Sequence, residues 1–104
     1  MIDVSEWLEQ RTPRPPAEIA ERLGALVGNA RVDNEAALAD LLVQHAAALL
    51  GRVTSDRSGA TELLLADSLI TYAMEAAASD HDHFEEIAER AMMVIAAAGS
   101  ESNA

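Results

Sequence analysis

The chain has 104 residues, a formal net charge of −11 and no cysteine, and half of its residues are hydrophobic although only 3% are aromatic. The absence of cysteine excludes disulfides, thiolate zinc sites and cysteine nucleophiles. The acidic balance repels phosphate backbones and anionic lipids, which disfavours nucleic-acid and membrane-surface binding.

Alanine dominates the hydrophobic residues. Because alanine is the best helix former and a poor strand former, the composition predicts an all-α protein. We expect one domain over residues 1–104, a small antiparallel bundle of four main helices with a short amphipathic helix at the N-terminus. The first ten residues have no basic and apolar leader, so we expect a cytoplasmic location. The lack of lysine beside so much alanine is typical of a GC-rich bacterial genome.

The first helix is predicted where Val4, Trp7, Leu8 and Arg11 recur at helical spacing behind Asp3. Residues 1–15 are therefore expected to hold a short helix and a proline-rich linker, because each proline disfavours helix in the residue before it.

The second helix is predicted over residues 16–27, with Gly28 and Asn29 as its C-terminal stop. Asp33 or Asn34 is expected to cap a third helix that ends at Gly51.

The fourth helix is predicted to follow a polar loop over residues 55–59, with Ser58 or Thr61 as its cap. From Leu63 to Ala78 it is apolar around most of its circumference, which favours a place at the centre of the bundle. Asp82 and Glu85 resemble a capping box at the start of the fifth helix. Gly99 is its expected stop, before a frayed tail over residues 100–104.

Known catalytic motifs are incomplete in this chain. The doublet His81-Asp82 resembles that of metal-dependent phosphohydrolases, but no aspartate follows Asp82 to complete their ligand set. The run Glu85 to Glu89 resembles half of the acidic signature of all-α nucleotide pyrophosphohydrolases, without its second acidic helix. No glutamate has a histidine three residues later, as ferritin-like di-iron bundles require.

Three groups of polar residues remain as candidate sites. The cluster Asp80, His81, Asp82 and His83 offers imidazole and carboxylate ligands that suit zinc, nickel or copper, although consecutive ligands rarely converge on one ion.

The second candidate, His45, lies on the apolar seam of the third helix and is interpreted as a core or interface histidine or, with a carboxylate partner, as a ligand. The third candidate is the line of Asp67, Thr71 and Glu75 along the fourth helix. It is interpreted as an exposed edge, as a set of partners for an arginine such as Arg22 or Arg52, or as the lining of a small pocket.

The sequence as a whole favours a non-enzymatic protein–protein interaction or oligomerisation module, and assigns no catalytic, cofactor-binding or metal-ligating residue. The high apolar fraction suggests more hydrophobic surface than a monomer can bury, which favours a homodimer or a partner helix beside the fourth or fifth helix. The alternative is a small-ligand or metal-binding bundle that uses His45, Asp67, Glu75 or residues 81–83. Charge alone would also allow an acidic decoy for a nucleic-acid-binding protein.

Overall fold

The computed structural model describes residues 1–11, 14–52 and 57–102, and within these ranges the chain is a bundle of α-helices with one very small sheet. Its elements are, in chain order, β1 (Ile2–Asp3), α1 (Val4–Glu9), α2 (Ala17–Val27), β2 (Arg31–Val32), α3 (Glu35–Leu50), α4 (Arg57–Ala78) and α5 (Phe84–Ser102). The predicted all-α class is confirmed, with four long helices and a short one at the N-terminus. None of the described helices is long and apolar enough to cross a membrane.

The small sheet was not predicted. Strands β1 and β2 pair antiparallel, with Ile2 opposite Val32 and Asp3 opposite Arg31. The backbone N–H of Val4 extends the pairing by donating to the carbonyl oxygen of Ala30 at 3.1 Å. Two-residue strands are too short to show an alternating pattern in a sequence. Their effect is to hold the start of α1 against the connection between α2 and α3.

The ends of α2 and α3 lie where the sequence predicts them. Gly28 is the C-cap of α2 with a φ of 53°, a conformation that favours glycine. Asn34, one of the two predicted caps, accepts a hydrogen bond from the backbone N–H of Ala37 at 2.9 Å. Gly51 is the C-cap of α3.

The predicted start of α4 is wrong. The helix begins at Arg57, so Ser58 and Thr61 lie inside its first turns and neither precedes it as a cap. Part of the predicted loop over residues 55–59 is therefore helical, and its first two residues lie outside the described ranges. A cap contributes only about 1 kcal/mol, so residues that favour helix can extend a helix past a candidate cap.

Both predicted ends of α5 are also displaced. The helix begins at Phe84, so Asp82 is not its cap. Residues 80–83 instead form a turn in which the N–H of His83 donates to the carbonyl oxygen of Asp80 at 3.2 Å. The helix continues past Gly99 to Ser102, since one glycine costs only about 1 kcal/mol after a run of alanines.

Helix α3, and not α4 as predicted, lies at the centre of the bundle. It packs extensively along α4 and also along α5, whereas α4 and α5 share few contacts with each other. Arg90 of α5 reaches α3 through its Nη2, which lies 3.2 Å from Oδ2 of Asp40. The largest fully buried side chains are Leu38, Leu42, Leu69, Ile87 and Val4.

The short helix α1 is held against α4 by aromatic and ionic contacts. The rings of Trp7 and Tyr72 meet edge to face with centroids 6.4 Å apart. The guanidinium of Arg11 lies 4.1 Å from the centre of the Trp7 ring and 3.9 Å from a carboxylate oxygen of Glu75. Burial raises the pKa of the Tyr72 hydroxyl, Glu75 adds to the rise, and Arg11 and Arg14 oppose it.

Candidate functional site

The outer face of α4 carries two exposed apolar side chains near the end of α3. Leu63 is 51% exposed and Leu64 is 60% exposed, although both were expected inside the bundle. The buried side of α4 consists of residues spaced by three and four, among them Leu65 and Leu69. Since successive residues turn by about 100° around a helix, Leu63 and Leu64 fall on the side away from α3.

These two leucines border an apolar groove at the end of α3. The groove has a volume of about 430 Å³, and Ala66, which is 1% exposed, forms its floor. Leu50 from the end of α3 and Ile70 from α4 are half-buried beside it. The groove is lined by Leu50, Leu63, Leu64, Ala66, Asp67 and Ile70, which we call the leucine groove.

A pattern in the sequence could have revealed this exposure. Leu63 and Leu64 stand four and three residues before Asp67, which places them on the same face as the polar line. Because that face was interpreted as an exposed edge, the same spacing predicts that Leu63 and Leu64 are exposed too.

The polar line along α4 is an exposed edge, which was one of its three interpretations. Asp67, Thr71 and Glu75 are all exposed, and the Thr71 hydroxyl donates to the carbonyl oxygen of Asp67 at 3.0 Å. Glu75 also pairs with an arginine, as a second interpretation allowed, but this arginine is Arg11, at 3.9 Å, and not Arg22 or Arg52. Asp67 nevertheless lines the leucine groove, so the pocket interpretation is correct for that residue alone.

The cluster Asp80, His81, Asp82 and His83 is not assembled around a common point. Nδ1 of His83 lies 3.0 Å from Oδ1 of Asp80, and this hydrogen bond, together with the Asp80 charge, raises the pKa of His83. His81 and Asp82 are exposed and line an open cavity of about 550 Å³ beside Phe84. Across the described residues, no three side chains of histidine, aspartate or glutamate are placed to hold a metal ion.

His45 is half-buried on α3. Among the contacts of the described residues it has no hydrogen bond or ion pair, so neither Asp67 nor Glu75 serves as its carboxylate partner. The three candidate groups therefore remain separate from one another in the structure.

A polar cavity that the sequence did not indicate lies between α2, the end of α3 and α4. Its volume is about 290 Å³, and Arg22, Arg52 and Glu62 line it beside four apolar residues. Oε2 of Glu62 is buried and has no hydrogen-bond partner. Both arginines are exposed and line the same cavity.

Helix α5 exposes a second apolar surface. Met92 is 69% exposed and Met93 is 72% exposed, and they continue into the exposed Ala96 and Ala97. The first two turns of α5 instead expose glutamates, which suit the positive end of the helix dipole. Apart from Phe84, the large exposed apolar side chains of α5 thus lie beyond its first two turns.

Comparison of the chain with protein-family models, with curated proteins and with solved structures gives no match.

Proposed function

We propose that this chain is a non-enzymatic protein–protein interaction module that binds through the leucine groove and the adjoining outer face of α4. The observation that carries the proposal is the exposure of Leu63 and Leu64, at 51% and 60%, next to half-buried Leu50 and Ile70. Because each leucine is already about half-buried, burying the rest of one side chain at an interface is worth roughly half of the 1.5–3 kcal/mol of a fully exposed one. Contiguous apolar surface of this kind is typical of an interaction site.

The surroundings of the groove support binding over catalysis. Asp67 is the ionisable residue in its lining, and the described lining residues include no second titratable group that could act as acid, base or nucleophile. The alternative function, a small-ligand or metal-binding bundle, has weaker support because His45, Asp67, Glu75 and the residues at 81–83 lie apart. Met92 and Met93 provide a second surface that an oligomer or a larger partner would also cover.

The proposal is tested by the solution behaviour of the wild type and of a Leu63→Ser, Leu64→Ser variant. Light scattering after size exclusion, over about 1 to 200 µM, measures self-association, and the fluorescence of an apolar dye measures exposed apolar surface. We expect the wild type either to form an oligomer that the double variant does not form, or to bind more dye as a monomer than the double variant binds. A wild type that is monomeric and binds no more dye than the variant would overturn the proposal.

A further inference from the structure

The shape of the leucine groove suits the side chains of a helix. Its walls come from α4 at Leu63, Asp67 and Ile70, positions i, i+4 and i+7 that lie in one line along the helix surface. The half-buried Leu50 closes the end of the groove from α3. A groove built in this way accepts apolar residues that repeat every three or four positions on a partner helix.

The charge around the groove determines which charged residues a partner helix can carry beside its apolar stripe. Asp67 lies in the lining and is exposed. The sequence of α4 begins with Arg57, and from residue 58 to residue 78 it contains three acidic residues and no arginine or lysine. The whole chain carries 18 acidic residues against seven arginines. A partner with positive charge beside its apolar stripe is therefore attracted, and an acidic partner is repelled.

The same charges disfavour a second copy of this chain as the occupant. A twofold symmetric pair places the same patch of both copies together, so the two Asp67 carboxylates would enter one interface. Each copy would also bring its net charge of −11. Both terms oppose association, most strongly at low ionic strength.

We infer that the leucine groove binds a basic amphipathic helix, one with leucine-like residues along one face and lysine or arginine on both flanks. This inference rests on the proposed function, because it names the partner for the same surface. Leu63 and Leu64 supply the apolar contact and Asp67 supplies the charge contact.

The experiment uses two synthetic peptides of about 18 residues, long enough to form helix on binding. Both carry the same leucine stripe, and lysines flank it in one peptide where glutamates flank it in the other. Fluorescence anisotropy of the labelled peptides measures their affinity for the full chain. We expect the lysine peptide to bind at least about tenfold more tightly than the glutamate peptide, and its affinity to fall between about 50 and 300 mM salt.

Variants of the chain locate the binding surface. We expect Leu63→Ser, Leu64→Ser to weaken the lysine peptide at least about tenfold, and Asp67→Asn to weaken it about threefold. The matched control is Met92→Ser, Met93→Ser, which removes exposed apolar surface from α5 and should leave the affinity unchanged. Circular dichroism verifies that each variant keeps the helical content and melting temperature of the wild type.

The possible failures distinguish the partner from the proposed function. Equal binding of the two peptides would overturn the basic partner and leave the interaction surface supported. If neither peptide binds and the chain forms a dimer that Leu63→Ser, Leu64→Ser dissociates, the occupant of the groove is a second copy of the chain and the basic partner is overturned. Loss of binding in the methionine variant alone would move the site to α5. No peptide binding by a monomer that also binds no apolar dye would overturn both conclusions.

Discussion

At the scale of the residue, leucines of the same helix occupy opposite environments. Leu69 is 0% exposed and Leu65 is 3% exposed, whereas Leu63 and Leu64 lie more than half in solvent. The side chains are chemically identical, so burial alone separates a contribution to folding from a contribution to binding. This contrast gives a direct test of the structure.

We expect Leu69→Ala to lower the free energy of unfolding by about 2–5 kcal/mol, because it leaves a cavity beside α3. The matched change Leu64→Ala should alter it by no more than about 0.5 kcal/mol. Urea unfolding followed by circular dichroism measures both values. A similar loss for the two variants would mean that Leu64 is inside the folded protein.

The hydrogen bond between Asp80 and His83 predicts that a substitution at Asp80 changes the pKa of His83. We expect Asp80→Asn to lower the pKa of His83 towards 6.5, since the Asp80 hydrogen bond is the largest cause of its rise. The pKa is raised in the folded state, so the pair stabilises the fold below about pH 6.5 and this effect disappears as the pH rises through the folded pKa. Proton NMR of the histidine rings against pH measures the shift.

Asp82→Asn is the control for this titration, because Asp82 contributes least to the raised pKa of His83. It should move the titration less than Asp80→Asn does. The opposite order would show that the turn over residues 80–83 is arranged differently.

At the scale of the element, the sequence predicted helix ends well where one residue type decides them. Gly28 and Asn34 each supply a conformation or a hydrogen bond that few other residues provide. The starts of α4 and α5 were missed because several polar residues compete there, with energies that differ by less than about 1 kcal/mol. Asp82 looked like a cap, yet the chain closes the turn with Asp80 and His83.

Two glycines of α2 provide a matched test of this argument. Gly28→Ala should destabilise the fold by about 1 kcal/mol, because its φ of 53° is unfavourable for alanine. Gly24→Ala, inside the helix, should stabilise it by about 0.5–1 kcal/mol. An added Cβ meets nothing within 4 Å at either position, so backbone conformation alone sets the sign. Thermal unfolding of the two variants would contradict this explanation if both shifted in the same direction.

The arrangement of the helices was harder to predict than their existence. Both α3 and α4 are rich in leucine and alanine, so composition does not tell which one lies at the centre. The choice depends on contacts between distant parts of the chain, such as that of Asp40 with Arg90. The exposed edge at Asp67 was predictable from spacing, but the groove beside it also needs Leu50 from another helix.

At the scale of the whole molecule, negative charge exceeds what the described ion pairs neutralise. The 18 acidic residues face seven arginines, and Arg11 and Arg90 are already engaged with Glu75 and Asp40. Like charges that are held close together in the compact state repel one another more strongly than in the unfolded chain. Salt screens this repulsion over about 8–10 Å at moderate ionic strength.

We therefore expect the melting temperature to rise by several degrees between about 20 and 500 mM sodium chloride. A variant with Glu21→Gln and Glu89→Gln, both exposed positions, should show a weaker dependence on salt. Differential scanning calorimetry measures both proteins. A melting temperature that salt does not change would mean that self-repulsion does not limit stability.

The contact between α1 and α4 has an optical consequence. The chain has one tryptophan and one tyrosine, and their rings are 6.4 Å apart. At such a separation, light absorbed by Tyr72 is passed to Trp7, and the nearby guanidinium of Arg11 makes the emission sensitive to its position. Release of α1 from the bundle would end the transfer and shift the emission. The protein thus contains an intrinsic fluorophore pair that reports the docking of its first helix without any label.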